Sequence, residues 1–337
     1  MLKKAIMLSI CSLLLTQCIS DRDNDGIIDE QDNCADVPNG DQLDLDRNNV
    51  GDVCETLESN PIAYIQRLTG LNTTITRQFQ SRFENETEFS AFHVTRQGET
   101  NTYHELSNEQ VHEGARAHKA WMDGANEVVP GENTNHRGYP TIQFQYTDIG
   151  SLNNLVFVEF WVWLDVELYD ETHKDWFSFA TFSSYADDVW PRTQLLNLDK
   201  HGMLHLMHVP NQREMNQDIS DNQAPHFPQR EWVKLSILID YTSENNYNSP
   251  YIAAWQNETL VGAARFNPRL TIESIAANNT LPCLAEWGGE SVEEAEALCT
   301  LEYHGNLTQL HLGLYAPPLL TTGLIYNDKL TLLELSR

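Results

Sequence analysis

The sequence has few basic residues and, after residue 15, no long apolar run. Its 337 residues include 21 Lys and Arg against 49 Asp and Glu, which gives a formal net charge of −28. Long-range repulsion opposes the encounter of so acidic a chain with nucleic acid or an anionic membrane surface, so neither is an expected partner. A membrane-spanning helix needs about 20 apolar residues, and none is predicted here.

Several catalytic motifs are also absent from the sequence. It contains no P-loop, no dinucleotide-binding fingerprint and no nucleophile elbow. The Glu-x-Asp-x-x-Glu strand of concanavalin-like glucanases is missing, and "DVELYDE" does not fit it. These absences argue against nucleotide-dependent enzymes, serine hydrolases of that type and those glucanases.

The first 18 residues have the pattern of an export signal. Two lysines precede a mostly apolar run over residues 5–15, which is too short for a stable membrane anchor. The "LTQC" that ends at Cys18 resembles the lipobox of bacterial lipoproteins, in which the Cys is acylated and becomes the new N-terminus. Gln17 departs from the small residue usual there, so secretion after ordinary cleavage is the alternative. The resemblance implies a bacterial cell-surface or outer-membrane protein that meets the membrane only through lipid on Cys18.

Cysteine usage agrees with export. Of the six cysteines, one lies in the leader and Cys18 is the candidate lipid site, which leaves an even number. An even number in an exported chain suggests two disulfides. The four form two local pairs, Cys34 with Cys54 and Cys283 with Cys299, although other pairings stay open.

The segment that follows Cys18 is acidic, with twelve acids and two arginines in residues 21–55. Its residues match positions 1, 3, 5, 7, 9 and 12 of a calcium-binding loop, in which position 7 offers its carbonyl and Gly26 at position 6 permits a sharp turn. These residues are Asp21, Asp23, Asp25, Ile27, Asp29 and Asp32. The register repeats at Asp44, Asp46, Asn48, Val50, Asp52 and Glu55. Asn49 replaces the Gly and Asn48 supplies a neutral oxygen, so we expect weaker binding in the second loop.

No helical apolar periodicity flanks either loop, which argues against an EF-hand. With "DNC" at Asp32–Cys34 and "GDVC" at Gly51–Cys54, residues 21–55 instead resemble the thrombospondin type 3 repeat. Ala35 stands where that family usually has Pro. The resemblance implies a domain over residues 19–57 in which an irregular chain wraps Ca²⁺, and it implies a disulfide between the two cysteines.

The remainder of the chain is rich in predicted strands. Residues 58–77 are predicted as a linker with a short helical turn, and short runs of β-branched and aromatic residues follow from residue 78. The clearest run is residues 155–168, which alternates with period two over fourteen residues and so predicts a long strand buried on one face. Hairpins are predicted at "DKHG" and at Asn257–Thr259. Many antiparallel strands with one helical piece, Val292–Cys299, predict an all-β sandwich.

The strand order of residues 78–337, with "EWVKLSILIDY", "YIAAWQNETLVGAARF" and a late "NDKLTLLEL", resembles concanavalin A-like and laminin G-like jelly rolls. A nearer but weaker resemblance is to polysaccharide lyases of the same architecture, including the heparin-lyase-like group. The first resemblance implies an antiparallel β-sandwich with one sheet face available to a ligand.

The predicted ligand-binding surface is the non-core face of the long strand. Its residues are Glu159, Trp161, Trp163 and Asp165. Aromatic rings stack on sugar faces while carboxylates accept from sugar hydroxyls, so this pattern favours carbohydrate. The leading hypothesis is recognition or adhesion through a polysaccharide or another extracellular ligand, and the acidic body favours a neutral glycan. The alternative is that a strand or loop covers the tryptophans.

The second hypothesis is a lyase that cleaves a uronic-acid polymer by β-elimination. Such an enzyme needs a group that neutralises the carboxylate, a base for the C5 proton and an acid for the leaving oxygen. Arg or Gln, His and Tyr serve these roles by resemblance to the lyases, with no motif that assigns them residue by residue. The candidates are Arg192, Gln194, His205, His118 and Tyr139. A third hypothesis is a structural adhesion module that contacts protein.

Overall fold

The computed structural model describes residues 20–89, 92–94, 100–144, 147–167, 176–183, 193–199, 201–209, 217–218, 225–241, 251–265 and 307–337. The chain divides into two compact units, of which the first ends at Thr73 and the second spans Thr74–Ser336. Within the described ranges no helix has the length and apolar character needed to cross a membrane.

The first unit is an irregular chain closed by a disulfide. Cys34 is bonded to Cys54, which confirms this predicted pair. A 3-10 turn, Asp52–Cys54, is followed by helix α1, Pro61–Thr69. Cys283 and Cys299 and the predicted helix Val292–Cys299 lie outside the described residues.

Helix α1 has start and stop signals within the segment predicted as a linker. The Asn60 side chain accepts a hydrogen bond from the Ala63 amide at 3.3 Å, and Gly70 ends the helix with a φ of 72°. Tyr64 and Ile65 are fully buried. The helix therefore forms because it is capped at both ends and buries an apolar side, features that the sequence analysis reduced to a short turn.

The second unit is a sandwich in which the described residues form two eight-stranded antiparallel sheets, which confirms the predicted all-β fold. Sheet A contains β1 (Thr74–Ser81), β3 (Thr102–Ser107), β4 (Ala117–Asp123), β7 (Leu155–Val166), β12 (Trp232–Asp240), β13 (Tyr251–Gln256), β14 (Thr259–Arg265) and β16 (Thr322–Ser336). Sheet B contains β2 (His93–Val94), β5 (His136–Gly138), β6 (Pro140–Gln143), β8 (Phe177–Ser183), β9 (Thr193–Leu198), β10 (Leu204–Val209), β11 (Gln217–Asp218) and β15 (Gln309–Ala316). A short helix, α2, spans Glu86–Phe89.

The strand orders place the first and last parts of the unit side by side. Sheet A runs β14-β13-β12-β7-β16-β4-β3, with β1 also paired to β16. Sheet B runs β11-β10-β9-β8-β15-β6-β2, with β5 also paired to β15. Strand β1 begins four residues before the predicted domain start at residue 78.

The core lies between the sheets and follows the predicted period of two. In β7, Val158, Phe160 and Val162 are fully buried in the core cluster. The apolar residues of β12 and the even-numbered leucines of β15 join them from the two sheets. Strict alternation therefore leaves the odd-numbered residues of β15 on the face of sheet B turned away from the core.

Both predicted hairpins are present. Strands β9 and β10 pair around a turn in which Gly202 has a φ of 73°. Strands β13 and β14 are joined at Asn257 and Glu258, both with positive φ, as a primed two-residue turn requires.

Candidate functional site

The candidate site is the face of sheet B that points away from the core, called here the polar face. In register with the core-facing leucines of β15, the opposite side of that strand carries Gln309, His311 and Tyr315. The neighbouring strands and the β5–β6 junction complete the face with Arg137, Tyr139, Thr141, Gln143, Ser178, Thr181, Ser183 and Asn197. No acidic residue occurs among the strand residues of this face whose side chains the structure describes.

This face is unusual because its side chains are polar and yet buried. Gln309 is 4% exposed, and His311 and Asn197 are each 6% exposed. Within the described part of the chain, Ser183 Oγ and Asn197 Oδ1 have no hydrogen-bond partner. A buried polar group that is left unsatisfied costs about 1–3 kcal/mol. A bound ligand that hydrogen-bonds to these atoms would remove that cost, so their presence indicates a ligand-binding surface.

Aromatic and imidazole rings cluster at one end of the polar face. The Tyr139 and His311 rings lie 4.7 Å apart between centroids, and the Tyr139 and Tyr315 rings 5.9 Å apart. Trp176 packs against Tyr315 at 5.0 Å. Arg137 pairs with Tyr315 across β5 and β15, so a cation stands beside this cluster.

Burial sets the charge of two of these groups. It lowers the pKa of His311 to about 3, with the Arg137 charge as a second cause, so the imidazole is neutral near pH 7. Burial also raises the pKa of Tyr139 to about 12, which keeps its phenol protonated. His311 Nε2 lies 3.2 Å from Gln309 Oε1, where a neutral ring can donate a hydrogen bond.

The phenol oxygen of Tyr315 has a different environment. It accepts a hydrogen bond from Asn135 Nδ2 at 2.8 Å and a longer one from Asn133 Nδ2 at 3.4 Å. Tyr315 is itself partly exposed, so solvent reaches this end of the polar face.

The predicted lyase residues do not converge as a set. Tyr139 lies on the polar face, whereas His118 lies on the core side of β4 and is fully buried. The His118 ring packs 5.9 Å from that of Phe83, and its Nδ1 lies 3.3 Å from Asn327 Nδ2. Burial holds the pKa of His118 well below its usual value. Its role is therefore that of a neutral core histidine.

The other three candidates are placed only in part. Arg192 lies outside the described residues. Gln194 pairs with Phe182 and so occupies a register position on the core-facing side of β9. His205 pairs with Asn197 and so occupies a register position on the polar face.

Sequence reasoning missed Gln309, His311 and Tyr315. The signal was present in "LTQLHLGLY", where polar residues alternate with leucines. That segment was interpreted only as a strand, because its pairing with β5 and β6 is formed by residues about 170 positions away in the sequence.

The residues predicted to bind a ligand lie on the outer face of sheet A and already have partners. Trp161 stacks on His112 at 3.7 Å between centroids, and Trp163 meets Tyr326 edge-on at 5.5 Å. His112 belongs to the segment between β3 and β4, so a loop covers Trp161, which was the alternative interpretation.

The two carboxylates of that surface are also engaged. Glu159 is buried and accepts a hydrogen bond from Ser236 Oγ at 2.9 Å. Asp165 pairs with Arg230 Nε at 3.0 Å.

The two predicted calcium loops share one backbone geometry. Asp21 accepts a hydrogen bond from the backbone N–H of Gly26 at 3.3 Å, and Asp44 accepts one from the backbone N–H of Asn49 at 2.9 Å. In both loops the donor lies five residues after the acceptor. Gly26 has a φ of 96° and Asn49 a φ of 69°, which is the left-handed turn expected at both positions. The carboxylates of Asp21, Asp23 and Asp25 lie within 4.8 Å of one another.

Both loops contain buried carboxylate oxygens that have no hydrogen-bond partner among the described residues, which is what a cation site requires. Asp52 is 5% and Glu55 2% exposed, and within the described residues Asp52 Oδ2 and Glu55 Oε2 have no partner. Asp23 Oδ2 and Asp32 Oδ2 share that condition in the first loop. A hard cation with about six to eight oxygen ligands would satisfy such atoms, so the residues fit Ca²⁺.

One predicted ligand has a competing partner. Asp29 accepts hydrogen bonds from the Arg22 amide at 2.9 Å and from Arg22 Nε at 3.1 Å, and the amide bond is the main cause that lowers its pKa.

The fold is similar to those of polysaccharide lyases. An endo-β-1,4-glucuronan lyase from Trichoderma reesei matches with a TM-score of 0.47 and 11% identity, over 77% of this chain and 95% of that one. The Chlorella virus alginate lyase vAL-1 matches with a TM-score of 0.45 and 8% identity, over 77% of this chain and 100% of that one. The cellulose-induced protein Cip1 matches with a TM-score of 0.44 and 12% identity, over 75% and 96%. No protein-family model and no curated protein matches the sequence.

The leading hypothesis, recognition or adhesion through a polysaccharide or another extracellular ligand, is wrong. The residues predicted to bind the ligand are already engaged by His112, Tyr326, Ser236 and Arg230. The structures of similar fold include lyases of glucuronan and alginate. The preference for a neutral glycan rested on the total charge, whereas the described side chains of the polar face include Arg137 and no acid.

Proposed function

We propose that the second unit is a polysaccharide lyase that cleaves a uronic-acid polymer by β-elimination. The observation that carries the proposal is the meeting of Arg137, Tyr139, His311 and Tyr315 at the partly exposed end of the polar face.

The groups of the polar face match the needs of the reaction. A base removes the proton at C5, the C4–O4 bond breaks as the C4–C5 double bond forms, and an acid protonates the leaving oxygen. Arg137 neutralises the uronate carboxylate and so stabilises the negative charge that develops as the proton leaves. Tyr315 is the base, because its oxygen accepts hydrogen bonds from two amides. Tyr139 is the acid, because burial keeps its phenol protonated.

His311 and its neighbours bind substrate in this proposal without supplying charge. A neutral imidazole and the amide of Gln309 hydrogen-bond to uronate oxygens. Ser183 Oγ and Asn197 Oδ1, which have no partner among the residues that the structure describes, take sugar hydroxyls further along the face. The substrate is anionic, and the lack of acids among the described strand residues of this face permits it to approach.

The activity is tested by screening the purified protein against alginate, glucuronan and heparin. Elimination leaves an unsaturated sugar at the new end, so ultraviolet absorbance is expected to rise with at least one polymer. Circular dichroism must show β structure in the same sample. A folded protein that leaves the absorbance flat with all three polymers contradicts the proposal.

We also propose that the first unit binds calcium. The observation that favours this is that the buried carboxylates of Asp52 and Glu55 each have one oxygen with no partner among the described residues. Bound calcium would neutralise carboxylates that otherwise repel one another. The residues that would hold calcium are those predicted for the two loops, and one of them, Asp29, also pairs with Arg22.

Calcium removal is expected to destabilise the first unit. A ligand at tenfold excess over its Kd stabilises the native state by about 1.4 kcal/mol per site, from RT ln(1 + [L]/Kd). Thermal unfolding of the full chain in calcium and in a chelator measures this shift. Asp52→Asn is expected to reduce it, while exposed Asp36→Asn is the control. Equal unfolding with and without calcium, together with no heat of binding in calorimetry, contradicts the proposal.

We propose, finally, that the protein is exported and anchored through lipid on Cys18, a residue outside the described ranges. Incorporation of labelled fatty acid into the natural chain and its loss in Cys18→Ser support this. Release of the natural chain as a soluble, unlabelled protein contradicts it.

A further inference from the structure

We propose that Asn135, with Asn133, stabilises the ionised oxygen of Tyr315 and thereby makes Tyr315 the base of the elimination. The inference rests on the proposed function and adds to it two positioning residues from the loop before β5. They act through Tyr315.

The geometry of the loop supports this role. Asn135 Nδ2 lies 2.8 Å and Asn133 Nδ2 3.4 Å from Tyr315 Oη. An amide nitrogen donates hydrogen bonds and does not accept them, so the phenol oxygen is the acceptor in both contacts. Two further hydrogen bonds hold the asparagines in place. The backbone N–H of Asn135 donates to Asn133 Oδ1 at 3.2 Å, and Arg137 Nη2 donates to the backbone carbonyl of Asn133 at 3.4 Å.

Two donors on one oxygen favour its charged form. Hydrogen bonds donated to the ionised state of an acid stabilise that state, by the same physics as an oxyanion hole. Tyr326 on sheet A shows the opposite arrangement, since its hydroxyl donates to Glu109 at 2.7 Å. Burial, with that bond and the Glu109 charge, raises the pKa of Tyr326 above its usual value.

The two tyrosines at the site therefore have different roles, with Tyr315 as the base and Tyr139 as the acid. Tyr315 oxygen takes the C5 proton, the electron pair forms the C4–C5 double bond, and the C4–O4 bond breaks. O4 takes the Tyr139 proton, so both protons are accounted for and nothing is oxidised or reduced. Tyr315 then returns its proton to solvent and Tyr139 regains one.

The kinetic test compares three variants on whichever uronan the natural protein cleaves. Asn135→Ala removes one donor to a charged oxygen, and we expect kcat to fall by about tenfold or more with little change in KM. Asn135→Asp replaces the donor with a carboxylate, and we expect a fall of about 100-fold and a pH profile displaced to higher pH. Asn85→Asp, which adds the same charge on an exposed turn, is the control and is expected to match the natural protein. Unchanged kcat and pH profile in Asn135→Asp overturn the inference, since this result means that the phenol donates to residue 135.

A second measurement needs no substrate. Ultraviolet titration follows the ionisation of tyrosines, and subtracting the curve of Tyr315→Phe isolates one side chain. We expect its ionisation to move to higher pH in Asn135→Asp and, less, in Asn135→Ala, while near-ultraviolet circular dichroism confirms folding. Identical titrations in the natural protein and both variants overturn the inference even if a substrate is found. A displaced titration in a protein that cleaves no uronan supports the inference about Tyr315 and counts against the proposed function alone.

Discussion

Tyr315→Phe is expected to lower kcat for elimination by about 10²- to 10⁴-fold, because it deletes the oxygen that takes the C5 proton. The ring remains, so its packing with Trp176 and Tyr139 is retained and substrate binding should change little. The measurement is the initial rate of ultraviolet absorbance increase on the cleaved polymer, with KM determined in parallel.

Tyr326→Phe is the matched control for that prediction. It makes the same chemical change on sheet A, where the lost hydroxyl donates to Glu109. We expect its kcat to stay close to that of the natural protein. A Tyr315→Phe variant with natural kcat contradicts the assignment of the base, and equal losses in the two variants indicate a general structural effect.

Acid is expected to destabilise the second unit through His311. Its pKa is about 3 when folded and about 6.5 when unfolded, so above pH 6.5 neither state binds the proton. Below pH 6.5 only the unfolded state gains it, and the free energy of unfolding falls as the pH decreases towards 3. The loss is about 1.4 kcal/mol per pH unit, or on the order of 2 kcal/mol by pH 5.

His311→Gln separates this contribution from those of other groups. The buried His118 adds a loss of the same sign in both proteins, so it cancels in the comparison. Denaturant unfolding at pH 7.5, 6.5, 5.5 and 5 is expected to show a shallower pH dependence in the variant. Parallel curves for the two proteins contradict the role given to the buried, neutral imidazole.

Local patterns in the sequence were sufficient to predict several strands and hairpins. The period of two in β7 and β12 predicts which side chains face the core, because alternation is a property of a single strand. The β9–β10 and β13–β14 hairpins follow from turn residues that adopt positive φ. The helix α1 was underestimated because its capping residues were not combined with its apolar side.

The polar face could not be predicted in this way. His118 stands beside Lys119 in the sequence, yet β4 turns His118 into the core, and alternation alone does not say which of two faces is covered. Trp161 and Trp163 occupy the solvent side of β7 as predicted, but a loop before β4 and a tyrosine of β16 cover them.

The sequence by itself determined the strand-rich character of the second unit and the repeated spacing of the two acidic loops, since each depends on neighbours within about twenty residues. It offered Cys34–Cys54 as the local pairing among several, and the structure selected that pair. Only the tertiary structure decided that Arg137 and Tyr139 stand beside His311 and Tyr315. Those contacts arise from the pairing of β15 with β5 and β6. A register between strands so far apart is selected by the packing of the whole core, which no local pattern encodes.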